Sequence, residues 1–525
     1  MAILENKNFR LAIIYLLIIF SYYCSLIIGT SWDEPFEITR GQERLKYILS
    51  FGSYEVAPAQ NDKYYPGLYS TISAFISNIL PKKYIYETFH IINNTFSILT
   101  IFGLYKLTKL LFNKNVAFLS LIILFLNPTF FGHMSVNSKD TIIAFSFVWT
   151  TLTLFRYLDY QKDNDKRKKF LIYTGLLIGL GLGVRIQFFA LLIPLFLFVF
   201  LYKFNDKKFS LGLFVFDSFL IIIISYLVMV LCWPQVHSNI IIEPFKIFFD
   251  QFKIGFGPDR ILLNNKIFST SEVPPYYLFT NLLFKSPEFI LFTYTIFLFL
   301  IFFKDKFRFN GYLNFYSKLF LIFLILTLPT IFILVSSYKL YDGLRLFIYI
   351  IPFYCIIPAL VISFLIKNIK YFINRFLMLV ISLLFALYIY NFVKITPYQY
   401  TYFNLLAGKK VDLVNKFEID YWGVSLKELV NKITKKNYKK ENGFTNIAVC
   451  GLNVDIVKFE FNKYPNFKYK IKHLLDEQYQ YVIMNNRPVF KENEKYVNCY
   501  TKFNNKSVID VKRGNQTLSS FRKIN

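Results

Sequence analysis

Side chains that bind transition metals or attack substrates are scarce in this chain. Its 525 residues include 5 Cys and 4 His, and no two cysteines have CxxC spacing. That excludes the familiar zinc frameworks. Cys24, Cys232 and Cys355 lie in or beside apolar runs and read as small buried hydrophobes. Cys450 and Cys499 share a polar C-terminal region, where a disulfide is open if that region is exported, and two free thiols otherwise. Acids are also few, 33 Asp and Glu against 60 Lys and Arg, for a net charge of +27. On a soluble protein that excess would suggest nucleic acid. Here much of it falls in short loops between apolar runs, which is the pattern of a membrane protein, and no nucleic acid is expected as a partner. No internal repeat stands out. No small-residue cleavage site follows the first apolar run, so it reads as a retained transmembrane helix.

Apolar and aromatic residues are abundant. Hydrophobic residues make up 55% of the chain, with 63 Phe and 39 Tyr. A soluble domain sits nearer 45–50% apolar. Repeated runs of roughly 18 or more apolar residues are long enough to cross a bilayer. The expected fold class is mainly α, a polytopic membrane protein with about eleven transmembrane helices. These cover 11–29, 84–105, 115–131, 141–158, 170–184, 186–202, 210–233, 287–303, 319–337, 346–366 and 376–394. The short run 67–80, between Pro66 and Pro81, reads as an interfacial helix. Two long loops, 30–66 and 234–286, interrupt the pattern. Residues 1–394 then form the transmembrane unit, and 395–525 a small soluble α/β domain with a helix near 424–436 and strands near 447–449 and 481–484.

Every short loop on one side is basic: Lys7 and Arg10; Lys106, Lys109 and Lys114; Arg156 to Lys169; Lys203 to Lys208; Lys304 to Lys318; Lys367 to Arg375. By the positive-inside rule that side is cytoplasmic. The N-terminus is then inside, and both long loops and the C-terminal domain are outside. Counting 67–80 as a span would reverse every later loop against the rule.

Charged residues at a membrane are functional candidates, and four groups fall on the outer face. Trp32-Asp33-Glu34-Pro35 follows the first span. A carboxylate at an apolar boundary can become a stronger base than one in water, although a solvated loop would look the same. Asn137-Ser138-Lys139-Asp140 opens the 141–158 span, where an acid also suits the helix dipole. His133 stands nearby, and a single histidine reads as structural on its own terms. Arg185 ends Gly179-Leu180-Gly181-Leu182-Gly183-Val184-Arg185, between two apolar runs, where it could meet an acid or a phosphate. In the 338–345 turn, Lys339, Tyr341 and Arg345 suit an anionic lipid head group, or equally an interfacial belt. No DxD spacing lies in these outer groups.

Taken in order, these motifs resemble those of membrane glycosyltransferases with the GT-C fold, in the group of the protein O-mannosyltransferases and aminoarabinose lipid A transferases. The matching residues are Trp32 to Pro35, Phe131-Gly132-His133-Met134 through Asp140, and Tyr341-Asp342-Gly343-Leu344-Arg345. Asp420-Tyr421-Trp422-Gly423-Val424-Ser425, after Tyr400 to Asn404, completes the set, and the resemblance covers roughly the first 430 residues. It implies transfer of a sugar from a polyprenyl-phosphate donor to a lipid, polysaccharide or protein acceptor, on the outer face of the plasma membrane. Asp33 would be the base and Glu34 its neighbour, with Asp140 positioning acceptor or base. Arg185 and Arg345 would hold the phosphate, with Lys339, Tyr341 and His133 in the substrate-binding set. No cofactor is required, though Asp33 and Asp140 could share a divalent cation. The rival class is a transporter or lipid flippase, which the break at Arg185 favours. Such proteins place charges near the bilayer midplane, whereas these lie at span ends.

Overall fold

The computed structural model describes residues 6–57, 62–203, 209–251, 257–302, 315–335, 339–436, 444–474, 478–492 and 495–524. The basic stretches 204–208 and 304–308, and Tyr338 of the 338–345 turn, lie outside the described residues.

Helices occupy all eleven segments expected to span. Among the described residues, six are long and apolar enough to cross a membrane by length and composition. These are Lys7–Ile27, Asp140–Asp159, Leu211–Val230, Phe315–Val335, Arg345–Lys367 and Phe372–Lys394. The pair Tyr277–Lys285 and Glu288–Phe302, bent by 116°, makes a seventh if it is one span. The others fall short of the expected eleven for physical reasons. Lys114–Phe125 has 12 residues, only ~18 Å of helix against a ~30 Å hydrocarbon core. Phe188–Lys203 has 16 residues, and Asn164–Val184 opens on the charged run Asp165 to Lys169. Ile85–Leu111 has 27 but carries polar residues on its buried face. Those residues bind the helix to its neighbours. Asn93 donates to the Ser135 carbonyl at 2.9 Å, Asn94 to Ser21 Oγ at 3.2 Å, and Ser97 to the Met134 carbonyl at 3.1 Å. The 67–80 run holds a ten-residue helix, Leu68–Ser77, packed on Glu34–Leu49.

The outermost helices turn apolar side chains outward. Leu379, Leu383 and Leu387, one turn apart on the last long helix, are each nearly 60% exposed. A stripe of that kind needs a lipid neighbour. The buried Asp217 on Leu211–Val230 is paired: it accepts from Tyr157 at 2.7 Å and faces Arg167 at 3.4 Å.

The C-terminal residues form a five-stranded sheet in the order 469–472, 445–450, 481–484, 516–523, 507–513. The first three strands are parallel and the last two antiparallel to their neighbours. The helix Val454–Asn462 makes the crossover between two of the parallel strands, as parallel pairing demands. Cys450, ending a central strand, is disulfide-bonded to Cys499, which closes the alternative of two free thiols. The segment leading to the sheet rests on the helical unit, where Trp32 N donates to the Trp422 carbonyl at 3.0 Å. Gly29 permits this approach, because a Cβ there would lie 2.2 Å from the Val424 carbonyl oxygen.

Candidate active site

Four residues distant in sequence meet beneath the C-terminal sheet. Asp33 precedes the helix Glu34–Leu49, and Asp140 opens Asp140–Asp159. Arg185 caps the C-terminus of Asn164–Val184, and Arg345 begins the span that runs to Lys367. Arg345 is the hub. Its Nη2 donates to Asp33 Oδ2, its Nε to Asp140 Oδ2 at 3.2 Å, and its Nη1 to Asp342 Oδ2 at 3.0 Å. The face of the guanidinium lies 4.1 Å from the Trp422 ring centroid. Arg185 Nη2 approaches the second Asp140 oxygen at 3.2 Å. Asn137 fixes Asp140 from the other side, donating to Oδ2 at 3.0 Å while its own Oδ1 accepts from the Asp140 backbone N–H at 3.0 Å.

Lys139 adds a further cation. Its Nζ lies 2.7 Å from Glu37 and 3.8 Å from Asp33 Oδ2. With Arg487, which reaches Asp342 at 2.5 Å, the cluster balances Asp33, Glu37, Asp140 and Asp342 against Lys139, Arg185, Arg345 and Arg487. Such balance is what permits charge at low exposure. Burial alone would raise the Asp33 carboxyl, but Arg345 and Lys139 hold it well below the usual carboxylate range. Burial works against the Lys139 ammonium too, and Glu37 and Asp33 overcome it and raise its pKa. At one-quarter exposure, Asp33 is the most accessible acid of the cluster.

An apolar cavity of about 210 Å³ opens beside this cluster. Asp140 and Arg185 head it, and Phe188, Phe189, Ile193, Phe332, Ile333 and Leu346 line its length.

The remaining sequence candidates stand apart. Glu34 is buried and turned away from Asp33; it accepts from the Ser31 backbone N–H at 2.5 Å and meets His90 Nε2 at 2.7 Å. That arrangement ties the start of Glu34–Leu49 to Ile85–Leu111. His133 lies under Trp422 and Tyr421, its Nε2 3.1 Å from the Tyr421 hydroxyl. Burial depresses its pKa to about 3, against the Thr129 carbonyl that favours the cation, so it is neutral. Lys339 pairs with the exposed Asp259 at 3.1 Å, outside the cluster. Tyr341 is buried, 5.6 Å from the Arg345 guanidinium.

Asp33 and Asp140, the acids that could share a cation, both accept from Arg345. Among the described residues no three His, Cys, Asp or Glu side chains are placed to hold a metal ion. The chain's one DxD spacing, Asp163-Asn164-Asp165, caps the far end of the 21-residue helix that Arg185 terminates, ~31 Å away along its axis.

Lys139, Asp342 and Trp422 stand within the sequence motifs, but only the fold gives them partners. Asp342 carried a signal: it lies three residues before Arg345, with Gly343 between them. Glu37 and Arg487 carried none, since only tertiary packing brings them in.

Residues 88–233 match the family model described as dolichyl-phosphate-mannose-protein mannosyltransferase. The crystal structure of ArnT from Cupriavidus metallidurans bound to undecaprenyl phosphate aligns with a TM-score of 0.52, at 11% identity, over 98% of each chain. The apo form of that protein aligns with a TM-score of 0.50, at 10% identity, over 97% of each chain. No curated protein matches by sequence. The expected GT-C fold is thus borne out by the likeness to ArnT, residues 88–233 resemble the mannosyltransferase family, and the expectation of a multi-pass membrane protein is borne out as well.

Proposed function

We propose that this protein is a membrane glycosyltransferase that moves a sugar from a polyprenyl-phosphate donor to an acceptor hydroxyl on the outer face of the membrane. One observation carries the reading: two acids and two arginines meet at the head of an apolar cavity suited to an isoprenoid chain. The ArnT of the same fold was crystallised with undecaprenyl phosphate, a lipid of this chemical class. Arg185, at the cavity, is the first cation a donor phosphate meets. Arg345 stands behind it, between the acids.

In the resting site every cation is occupied by a carboxylate, and Asp33 is a weak base. The donor phosphodiester brings one negative charge. It draws Arg185 and Arg345 towards itself and relieves Asp33 of part of its positive surroundings, so the carboxylate becomes a stronger base where one is needed. Asp33 takes the acceptor O–H proton. The acceptor oxygen bonds to C1 of the sugar, and the C1–O bond to phosphate breaks. Polyprenyl phosphate leaves as a dianion, and the added charge falls on the two arginines, so no acid is required. Asp140 holds both arginines in place. Glu34 acts through the fold rather than on the substrate.

The N-terminus is cytoplasmic and the C-terminal sheet lies outside the plasma membrane. The basic loops support this, as does the Cys450–Cys499 disulfide, which suits an oxidising compartment. The placement of Asp33, Asp140, Arg185 and Arg345 at helix ends supports the enzyme over a transporter.

Binding of undecaprenyl phosphate to the protein in nanodiscs tests the donor site. Arg185→Ala is expected to weaken binding by ~10-fold or more, the value of one charge-assisted contact. Equal affinity in that variant would remove the cavity as the donor site.

A further inference from the structure

The C-terminal sheet has no part in the chemistry above, yet one of its side chains enters the cluster. Arg487 lies between the strands Tyr481–Met484 and Pro488–Glu492 and is buried. Its Nη2 donates to Asp342 Oδ1 at 2.5 Å, and its guanidinium lies 5.1 Å from the Trp32 ring centroid. The other Asp342 oxygen accepts from Arg345 Nη1. One carboxylate is therefore divided between two arginines. The backbone is shaped for this, with Asp342 (φ 56°) and Gly343 (φ 63°) both left-handed, a conformation that a non-glycine residue holds only when its surroundings enforce it.

Arg487 is itself anchored. The Cys499 N–H donates to the Arg487 carbonyl at 3.1 Å, and Cys499 is bonded to Cys450 at the end of a central strand. Glu418 lies 3.9 Å from Arg487 Nε, a looser second contact.

We infer that Arg487 is a positioning residue for the transfer reaction: by holding one oxygen of Asp342 it fixes the plane of Arg345 against Asp33 and Asp140. The three nitrogens of the planar Arg345 guanidinium each donate to a different carboxylate. Without Arg487, Asp342 becomes a buried anion with a single cation. It would then pull Arg345 towards a two-oxygen grip and turn the fork off Asp33. A shift of ~1 Å in such a group costs rate rather than binding. The inference rests on the proposed glycosyl transfer.

The test compares wild type, Arg487→Gln, Arg487→Lys, Asp342→Asn and the Asp342→Asn/Arg487→Gln double variant, in nanodiscs with an undecaprenyl-phosphate sugar donor that the wild type turns over. Arg487→Gln is expected to lower kcat by ~10-fold or more, with donor KM changed less than ~3-fold. Arg487→Lys should recover part of the loss. The double variant should be no slower than the slower single variant, because both break one relay. Melting temperatures of the same set need no donor, and there too the double variant should unfold no lower than the worse single. Wild-type kcat in a folded Arg487→Gln protein, or losses that simply add in both measurements, would overturn the inference. No turnover by wild type would refute the glycosyltransferase reading instead, and the melting series would still decide whether the relay exists.

Discussion

Replacing Asp33 with Asn removes one charge and almost no volume. The amide can still accept from Arg345, which also keeps Asp140 at 3.2 Å and Asp342 at 3.0 Å. Asp33 pairs with the buried Arg345, so losing its charge should lower the melting temperature, at a cost on the order of 1–3 kcal/mol, the scale of a hydrogen bond to a charged group. The catalytic cost should be larger. A positioned general base contributes ~10²–10⁴-fold, which is ~3–5 kcal/mol of barrier at ~1.4 kcal/mol per tenfold. Single-turnover transfer from a polyprenyl-phosphate sugar, with melting temperature measured on the same sample, separates the two. The pH profile adds a second reading. A base with a depressed pKa stays ionised until the pH falls through that value, so activity is kept in mild acid and lost below it. The acid limb of kcat/KM, which reports the free protein, should lie below the ordinary Asp value of ~3.9. The limb of kcat, which reports the loaded complex, should lie at higher pH, because the donor phosphate has drawn the arginines away. Turnover of the Asp33→Asn variant within threefold of wild type, or coincident limbs, would refute the assignment.

Three further outcomes follow. Glu34→Ala should lower the melting temperature, because it strands the buried Ser31 N–H and His90 at a cost on the order of 1–3 kcal/mol per group, while Glu34→Gln recovers most of it; an unchanged melting temperature with lost turnover would place Glu34 in the chemistry. Cys450→Ser with Cys499→Ser should cost the C-terminal sheet ~2–4 kcal/mol, read as earlier protease cleavage there; unchanged protection would show the bond to be dispensable. A cysteine at the exposed Lys506 should react with a membrane-impermeant maleimide on intact cells, and labelling only after lysis would reverse the proposed orientation.

Much of this architecture was legible because membrane physics writes it plainly. Apolar runs set by bilayer thickness located the apolar helices but not Glu34–Leu49, a 16-residue helix in a segment that reads as a polar loop, and the acids and arginines stood out because they sit at the ends of apolar runs. The number of crossings was harder to read, since Ile85–Leu111 hides its polar residues against other helices and Lys114–Phe125 is a short helix in a longer apolar run. Adjacency misled at Glu34: next to Asp33 in sequence, it falls on the other side of the turn and reaches His90. Lys339 looked like Arg345's companion, yet Asp342 and Gly343, both at positive φ, turn the chain between them. Arg487 was out of reach, because only the parallel pairing of 481–484 with 445–450 brings it over the site.

The central claim is that the bond between sugar and phosphate is broken here. Purified protein in nanodiscs, given a pool of undecaprenyl-phosphate-linked sugars with lipid, polysaccharide and peptide acceptors, tests it by mass spectrometry. Wild type should release free undecaprenyl phosphate and load one acceptor class with one sugar, and Asp33→Asn should do neither. Wild type that, in sealed vesicles, moves the same lipid-linked sugars across the bilayer intact and in neither preparation releases undecaprenyl phosphate would contradict it.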